Sequence, residues 1–316
     1  LHAGDHVQDD VWTAPDIPSQ RGKTAVVTGA AGLGFETARE LARAGAHVIM
    51  VSRNATTGAE AVARILSEMP QASVRFEPLD LGSLASVAGF ADRLRSQTEG
   101  LDLLINNAGV MTPQRRMETQ DGFEIQFGTN YLGHFALTAH LLPLLVNAGQ
   151  ARVVTVSSIA ARGGAIDFDD LQARRGYRPM PVYAQSKLAC LMFALELQRR
   201  SQTQGWGIAS IAAHPGVSRT GLLYNTPGGP GGLRRVMRAM LWFMFQPVPQ
   251  GALPQLFAAT APEAQGGGYY GPDGRAELNG FPAPARVPRP AQDAEACVRL
   301  WRVAQDLTGL RFEVRS

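Results

Sequence analysis

The chain has 316 residues, 45% of them hydrophobic, which is ample for a buried core in one large α/β domain or two small ones. Lys and Arg exceed Asp and Glu by 30 − 27 = 3, too small a surplus to argue for nucleic-acid binding without a concentrated basic stripe. Two cysteines, Cys190 and Cys297, argue against a disulfide framework and lack zinc-like spacing, so a reducing cytoplasmic setting and no bound metal are expected.

Residues 1–21 read as an N-terminal extension. Leu1 to Gln20 is polar, carries Asp5, Asp9, Asp10 and Asp16, and shows neither the basic start nor the apolar run of an export signal. From Thr24 to Gly221, short apolar runs alternate with helix-period segments, as in a parallel sheet covered by helices on both faces. The first strand, Thr24–Thr28, runs into the turn Gly29-Ala-Ala-Gly32-Leu33-Gly34 and a helix over Gly34–Ala44. Gly29 permits a tight turn, Gly32 lets backbone approach a pyrophosphate, and Gly34 lets the helix pack on the sheet. A phosphate would then meet free N–H groups at the helix N-terminus, although the same glycines also suit an ordinary strand-to-helix turn.

The second strand, His47–Val51, ends at Ser52-Arg53, where a doubly wound fold meets the adenosine ribose of a dinucleotide. An acidic residue there would favour NAD; Arg53 suits a 2′-phosphate, so NADP(H) is preferred and NAD(H) stays possible. A helix over Ala55–Glu68 and a strand over Ser73–Pro78 lead to Asp80-Leu81, placed either against an adenine ring or at a helix cap. Next come a helix over Ser83–Gln97, a strand over Leu101–Asn106 ending in Asn106-Asn107-Ala108-Gly109, and a long helix over Gly122–Val146 that includes Asn130. The strand Ala151–Ser157 closes on Ser157-Ser158, and Tyr183-Ala-Gln-Ser-Lys187 lies in a helix over Val182–Arg200. Four residues put Tyr183 and Lys187 one turn apart on one face, where an ammonium favours a phenolate. Cys190, three residues on, reads as a buried structural thiol. The last strand of the alternation, Gly207–Ala213, precedes Pro215-Gly216 and Thr220.

The residues resemble the short-chain dehydrogenase/reductase family, more narrowly its retinol-dehydrogenase-like branch, from about Lys23 to Thr220. The resemblance rests on the glycine turn, Asn106-Asn107-Ala108-Gly109, Thr129-Asn130-Tyr-Leu-Gly-His-Phe135, Ser157-Ser158, the Tyr-Lys pair and Pro215-Gly216 with Thr220, all in family order. It implies a single doubly wound (Rossmann) domain over residues 22–316, with Tyr183 as general acid/base, Lys187 as its electrostatic support and ribose ligand, and Ser158 on the substrate oxygen. It also implies that Asn130 holds a water toward Lys187. Asn107, Ala108 and Gly109 would line the cofactor cleft, and Pro215, Gly216 and Thr220 would meet the nicotinamide end. One departure is visible: the family's turn usually has three residues between its first two glycines, and this chain has only Ala30 and Ala31. The missing residue often carries a polar side chain toward the adenosine phosphate.

An insertion between Ser158 and Tyr183 clusters Asp167, Asp169, Asp170, Arg174 and Arg175, which fits either local ion pairs in a loop or a substrate anchor. Residues 222–250 read as a substrate lid whose helical face would carry Leu233, Val236, Met237 and Met240. Trp242 and Phe245 would add apolar contact; membrane-surface contact and plain core packing are the other readings of this segment. Residues 281–316 read as a C-terminal tail. The expected activity is hydride transfer between NADPH and the carbonyl, or alcohol, of a hydrophobic small molecule, with a homodimer through helices 122–146 and 182–200 by resemblance. The alternative is a cofactor-sensing or interaction protein without turnover.

Overall fold

The computed structural model describes residues 11–217 and 246–313. Thr220 and nearly all of the expected lid, Trp242 and Phe245 included, lie outside the described residues, as do residues 1–10 of the N-terminal extension.

In chain order the elements are β1 (Thr24–Thr28), α1 (Gly32–Arg43), β2 (His47–Ser52), α2 (Ala55–Glu68), β3 (Val74–Pro78), α3 (Leu84–Arg95) and β4 (Leu103–Asn106). A π-helical turn over Phe127–Leu132 then runs into α4 (Gly133–Asn147). Next come β5 (Arg152–Val156), α5 (Pro179–Gln204), β6 (Ala209–Ala213), α6 (Val248–Thr260), β7 (Tyr269–Pro272), β8 (Pro282–Pro284), α7 (Arg289–Gln292) and α8 (Ala294–Thr308). The strands form one sheet in the order β3-β2-β1-β4-β5-β6-β7-β8. All neighbours pair in parallel except β7 and β8.

Successive side chains of a strand point to opposite faces, and both faces are covered here, so the strands are apolar almost throughout. Val26, Ile49 and Val51 pack on the face held by Phe90 of α3, Leu141 of α4, Leu188 of α5 and Leu300 of α8. Ala25, Val27, Val48 and Met50 pack on the other, with Leu41 of α1, Ile65 of α2 and Leu256 of α6. The expected α/β architecture is thus present. Its C-terminal part differs from the expected tail: β7 and β8 extend the sheet, β8 takes the proline-tolerant edge, and α8 is built into the core.

Helix α8 also packs along α5 and touches α4. Trp301, 1% exposed, stacks on Phe193 of α5 with ring centroids 5.6 Å apart and meets Phe135 of α4 edge-on at 5.0 Å. Phe312 closes the cluster, 4.4 Å from Trp301. Trp301→Ala is expected to cost about 3–5 kcal/mol of stability through the cavity it leaves, read as a lower urea midpoint at unchanged m-value.

Candidate active site

In a parallel sheet of this order the crevice lies outside the carboxyl ends of β1 and β4, where the connections depart to opposite sides. The glycine turn leaves β1 there, and Asn107-Ala108-Gly109 leaves β4 beside it. Gly29 has φ +98°, a left-handed conformation that glycine accepts without strain. Gly34 sits so close to the turn that an added Cβ would lie 2.3 Å from the Gly29 carbonyl oxygen and 2.6 Å from Asn107 Nδ2. Helix α1 begins at Gly32, beside the crevice, with no side-chain cap for its first N–H groups. This is a fit for a pyrophosphate despite the shortened turn. Gly34→Val is therefore expected to abolish dinucleotide binding, checked by fluorescence titration beside circular dichroism.

Thr28, at the end of β1, is the hub of this floor. Its Oγ1 accepts the backbone N–H groups of Asn107 (2.8 Å) and Ala108 (2.9 Å), and Asn107 Nδ2 donates back to the Thr28 carbonyl at 2.7 Å. On α6, buried Gln255 donates to Thr37 of α1 and, at 3.3 Å, to Asn107 Oδ1, tying the helix to the floor. Gln255 was not among the expected site residues; a lone amide in the apolar run Ala252-Leu-Pro-Gln-Leu-Phe-Ala was its only sequence signal.

Ser52 and exposed Arg53, the residues expected to meet the ribose, stand at the end of β2, and the Gly29 N–H donates to the Val51 carbonyl at 2.7 Å, placing this strand end beside the turn. Asp80 is not a helix cap. Its Oδ1 accepts the Gly82 N–H at 2.8 Å, whereas α3 is capped by Ser83, and neighbouring Leu81 is buried.

A cavity of about 220 Å³ opens on the same side of the sheet. Ser158, Tyr183 and Lys187 line it together with Asn107, Gly109, Pro215 and Gly216, so the structure brings these expected site residues to one place. Met111, Ile159, Met180 and Val217 make the rest of its wall largely apolar. Lys187 is 5% exposed and its Nζ donates to the Val156 carbonyl at 2.9 Å, which fixes the ammonium at the end of β5. Ser157 is turned inward and donates to the Lys187 carbonyl at 2.8 Å, while Ser158 Oγ accepts the Ala160 N–H at 3.2 Å on the cavity wall.

Asn130 comes from the π turn, a local widening that recurs at functional sites. Its side-chain amide clamps Val110, accepting the Val110 N–H at 2.7 Å and donating to the Val110 carbonyl at 2.9 Å. The second Nδ2 proton goes to Ser186 Oγ (3.0 Å), which donates to the Tyr183 carbonyl at 2.8 Å. One amide thus ties the β4 edge of the cavity to the helix turn that carries Tyr183. Cys190 is a buried thiol whose Sγ donates to the Asn130 carbonyl at 3.1 Å, and burial pushes its pKa up.

On the far wall, Gly216 donates its N–H to His214 Nδ1 (3.2 Å), and His214 Nε2 donates to Glu277 at 2.8 Å. Arg162, from the insertion, pairs with the same carboxylate. The insertion's aspartates serve their own loop: Asp167 Oδ1 accepts the N–H groups of Asp169 and Asp170, and Asp170 accepts those of Arg174 and Arg175. These contacts favour local loop structure over a substrate anchor. Among the described residues no group of His, Cys, Asp and Glu is arranged to hold a metal ion, and no helix is long and apolar enough to cross a membrane.

A family model described as short chain dehydrogenase matches residues 23–227. Among characterised relatives, the polyprenol dehydrogenase of Mus musculus is 43% identical over 302 residues, covering 93% of this chain and 86% of the relative. Retinol dehydrogenase 13 of Homo sapiens is 40% identical over 308 residues, covering 95% and 90%. A crystal structure of an uncharacterized protein from Mycobacterium Paratuberculosis is 40% identical, with a TM-score of 0.79 over 96% of this chain and all of that one.

Proposed function

Because this chain belongs to the short-chain dehydrogenase family, on its retinol-dehydrogenase-like branch, we propose that it interconverts a hydrophobic alcohol and its carbonyl with NADP(H). The observation that carries this reading is the single cavity wall on which Tyr183, Ser158 and Lys187 meet the Asn107–Gly109 floor. The nicotinamide, when bound, supplies or receives the hydride. Tyr183 Oη gives a proton to the carbonyl oxygen in reduction and takes it from the hydroxyl in oxidation. Lys187, one helical turn from Tyr183 and held by the Val156 carbonyl, places its amine beside the reacting end of the cavity. Ser158 donates to the substrate oxygen as negative charge develops there. Asn130 holds the geometry and keeps one Oδ1 lone pair for a water toward Lys187.

The substrate class follows from the wall and the relatives. Met111, Ile159, Met180 and Val217 offer apolar contact, and methionine adapts to elongated or irregular ligands. The relatives named above are, by name, dehydrogenases of polyprenol and of retinol, both apolar alcohols. A long isoprenoid-type alcohol or aldehyde is therefore the substrate class to test. Reduced-nicotinamide absorbance followed with matched long-chain and short-chain aldehydes is expected to show kcat/KM at least about tenfold higher for the long chain, since each buried methylene contributes about 0.8 kcal/mol. Equal values would remove the substrate class, and no turnover with any carbonyl would favour a cofactor-sensing protein. Trp301 and Phe312 pack on Phe135 of α4 and Phe193 of α5, the helices through which the homodimer is expected; a mass measured by light scattering tests that expectation.

A further inference from the structure

His134 lies in the first turn of α4, 2% exposed, and takes no part in the chemistry just described. Its ring bridges the two halves of the site. Nδ1 is 2.8 Å from the Asn130 carbonyl oxygen, and Nε2 is 2.9 Å from Thr28 Oγ1. A carbonyl only accepts, so Nδ1 carries a proton. Thr28 Oγ1 already accepts two backbone N–H groups, Asn107 and Ala108, which fill its lone pairs and leave only its own proton to offer. The Thr28 hydroxyl therefore donates to a bare Nε2, in preference to the Ile105 carbonyl 3.2 Å away. A second ring proton would face an oxygen with no lone pair left. The ring is neutral, in the Nδ1–H form, and every bond in the chain runs one way: from Thr28 to His134 to Asn130.

We propose that His134 is a positioning residue that locks the catalytic Asn130 turn to the cofactor floor at Thr28, and this inference rests on the oxidoreductase reading. The Asn130 carbonyl, within the π turn at Phe127–Leu132, accepts from both His134 Nδ1 and Cys190 Sγ. Asn130 in turn clamps Val110 and, through Ser186, the Tyr183 turn. The ring thus couples the dinucleotide end to the proton-transfer end. Burial pushes the His134 pKa down to about 4, against the pull of the Asn130 hydrogen bond, and the Lys187 charge pushes the same way as burial. The groups around the ring are Thr28, Asn130, Cys190 and Lys187, none of which offers it a carboxylate.

The test separates the two bonds. In His134→Asn the amide reaches about as far as Nδ1, so it retains donation to Asn130 and loses Thr28; in His134→Gln it reaches about as far as Nε2, with the reverse result. His134→Asn is expected to weaken NADPH by about tenfold with kcat nearly kept, and His134→Gln to lower kcat by about tenfold with NADPH affinity nearly kept, each the worth of one buried hydrogen bond. A purely structural histidine would lower both together, in proportion to the folded fraction, and that result overturns the inference. So do wild-type constants in both variants. A second measurement uses the unaltered protein: ¹⁵N NMR of the imidazole is expected to show a protonated Nδ1 and a bare Nε2 that does not titrate between pH 5 and 8. An Nε2–H tautomer, or titration in that range, overturns it even if the variants fail to fold. Wild-type protein that binds no nicotinamide cofactor and turns over no carbonyl instead sinks the oxidoreductase reading, while the NMR result still decides the tautomer.

Discussion

Tyr183→Phe is expected to lower kcat by about 10²- to 10⁴-fold, the usual worth of a positioned general acid, while leaving NADPH affinity within about twofold. The change removes one oxygen from a side chain that is 8% exposed on the cavity wall and leaves the ring that packs there. Lys187 is held independently by its bond to Val156, and the Tyr183 carbonyl keeps its bond from Ser186, so the helix turn survives the substitution. Loss of the phenol thus separates proton transfer from cofactor binding. Single-turnover rates with a saturating aldehyde, beside NADPH titration by fluorescence, measure both. A variant that retains kcat would move the proton to another group. One that loses NADPH in parallel would make Tyr183 a binding residue rather than an acid.

Much of the sheet was legible because parallel strands buried on both faces are short, nearly continuous apolar runs. Thr24–Thr28 and Ala55–Glu68 are bounded in the structure as the sequence pattern suggests. The helix read over Gly122–Val146 instead contains the π turn at Phe127–Leu132, since a single widened turn barely disturbs apolar spacing. Helix α6 was missed because Pro249 and Pro254 look like breakers, yet the first is at the tolerated N-terminus and the second is accommodated inside. Helix α8 carried its signals, Asp293 as N-cap and Gly309 at φ +70°, but proline-rich flanks made the region read as a tail. For the site, residues in local motifs were found and those acting across the chain were not. His134 stands inside a quoted motif, but its role depends on Thr28, 106 residues away, and only the fold brings the two together.

Arg53→Asp is expected to weaken NADPH by about 10²-fold and leave NADH unchanged or tighter, because charge-assisted hydrogen bonds contribute about 1.5–3 kcal/mol and the new carboxylate would repel a 2′-phosphate. Arg53 is exposed at the end of β2 and makes no ion pair among the described residues, so its guanidinium is not committed elsewhere. The Val51 carbonyl, two residues before it, is bonded to the Gly29 N–H, which sets this strand end beside the glycine turn. Shortening of that turn to Ala30-Ala31 sharpens the expectation. Neither alanine can replace the polar side chain that often meets the adenosine phosphate in this family, so a preference for NADPH would have to come from Arg53, with Ser52 beside it. Because the residue is remote from Tyr183, kcat at saturating NADH should not change. The ratio of the two dissociation constants, measured for both proteins across a range of salt, decides the matter. A wild-type ratio near one, unmoved by the substitution, would mean that the short turn has removed the preference and that Arg53 is only a surface charge. A wild-type preference for NADPH that falls with salt and reverses in the variant would assign it to this guanidinium, since charge contacts at an exposed site weaken as ionic strength rises.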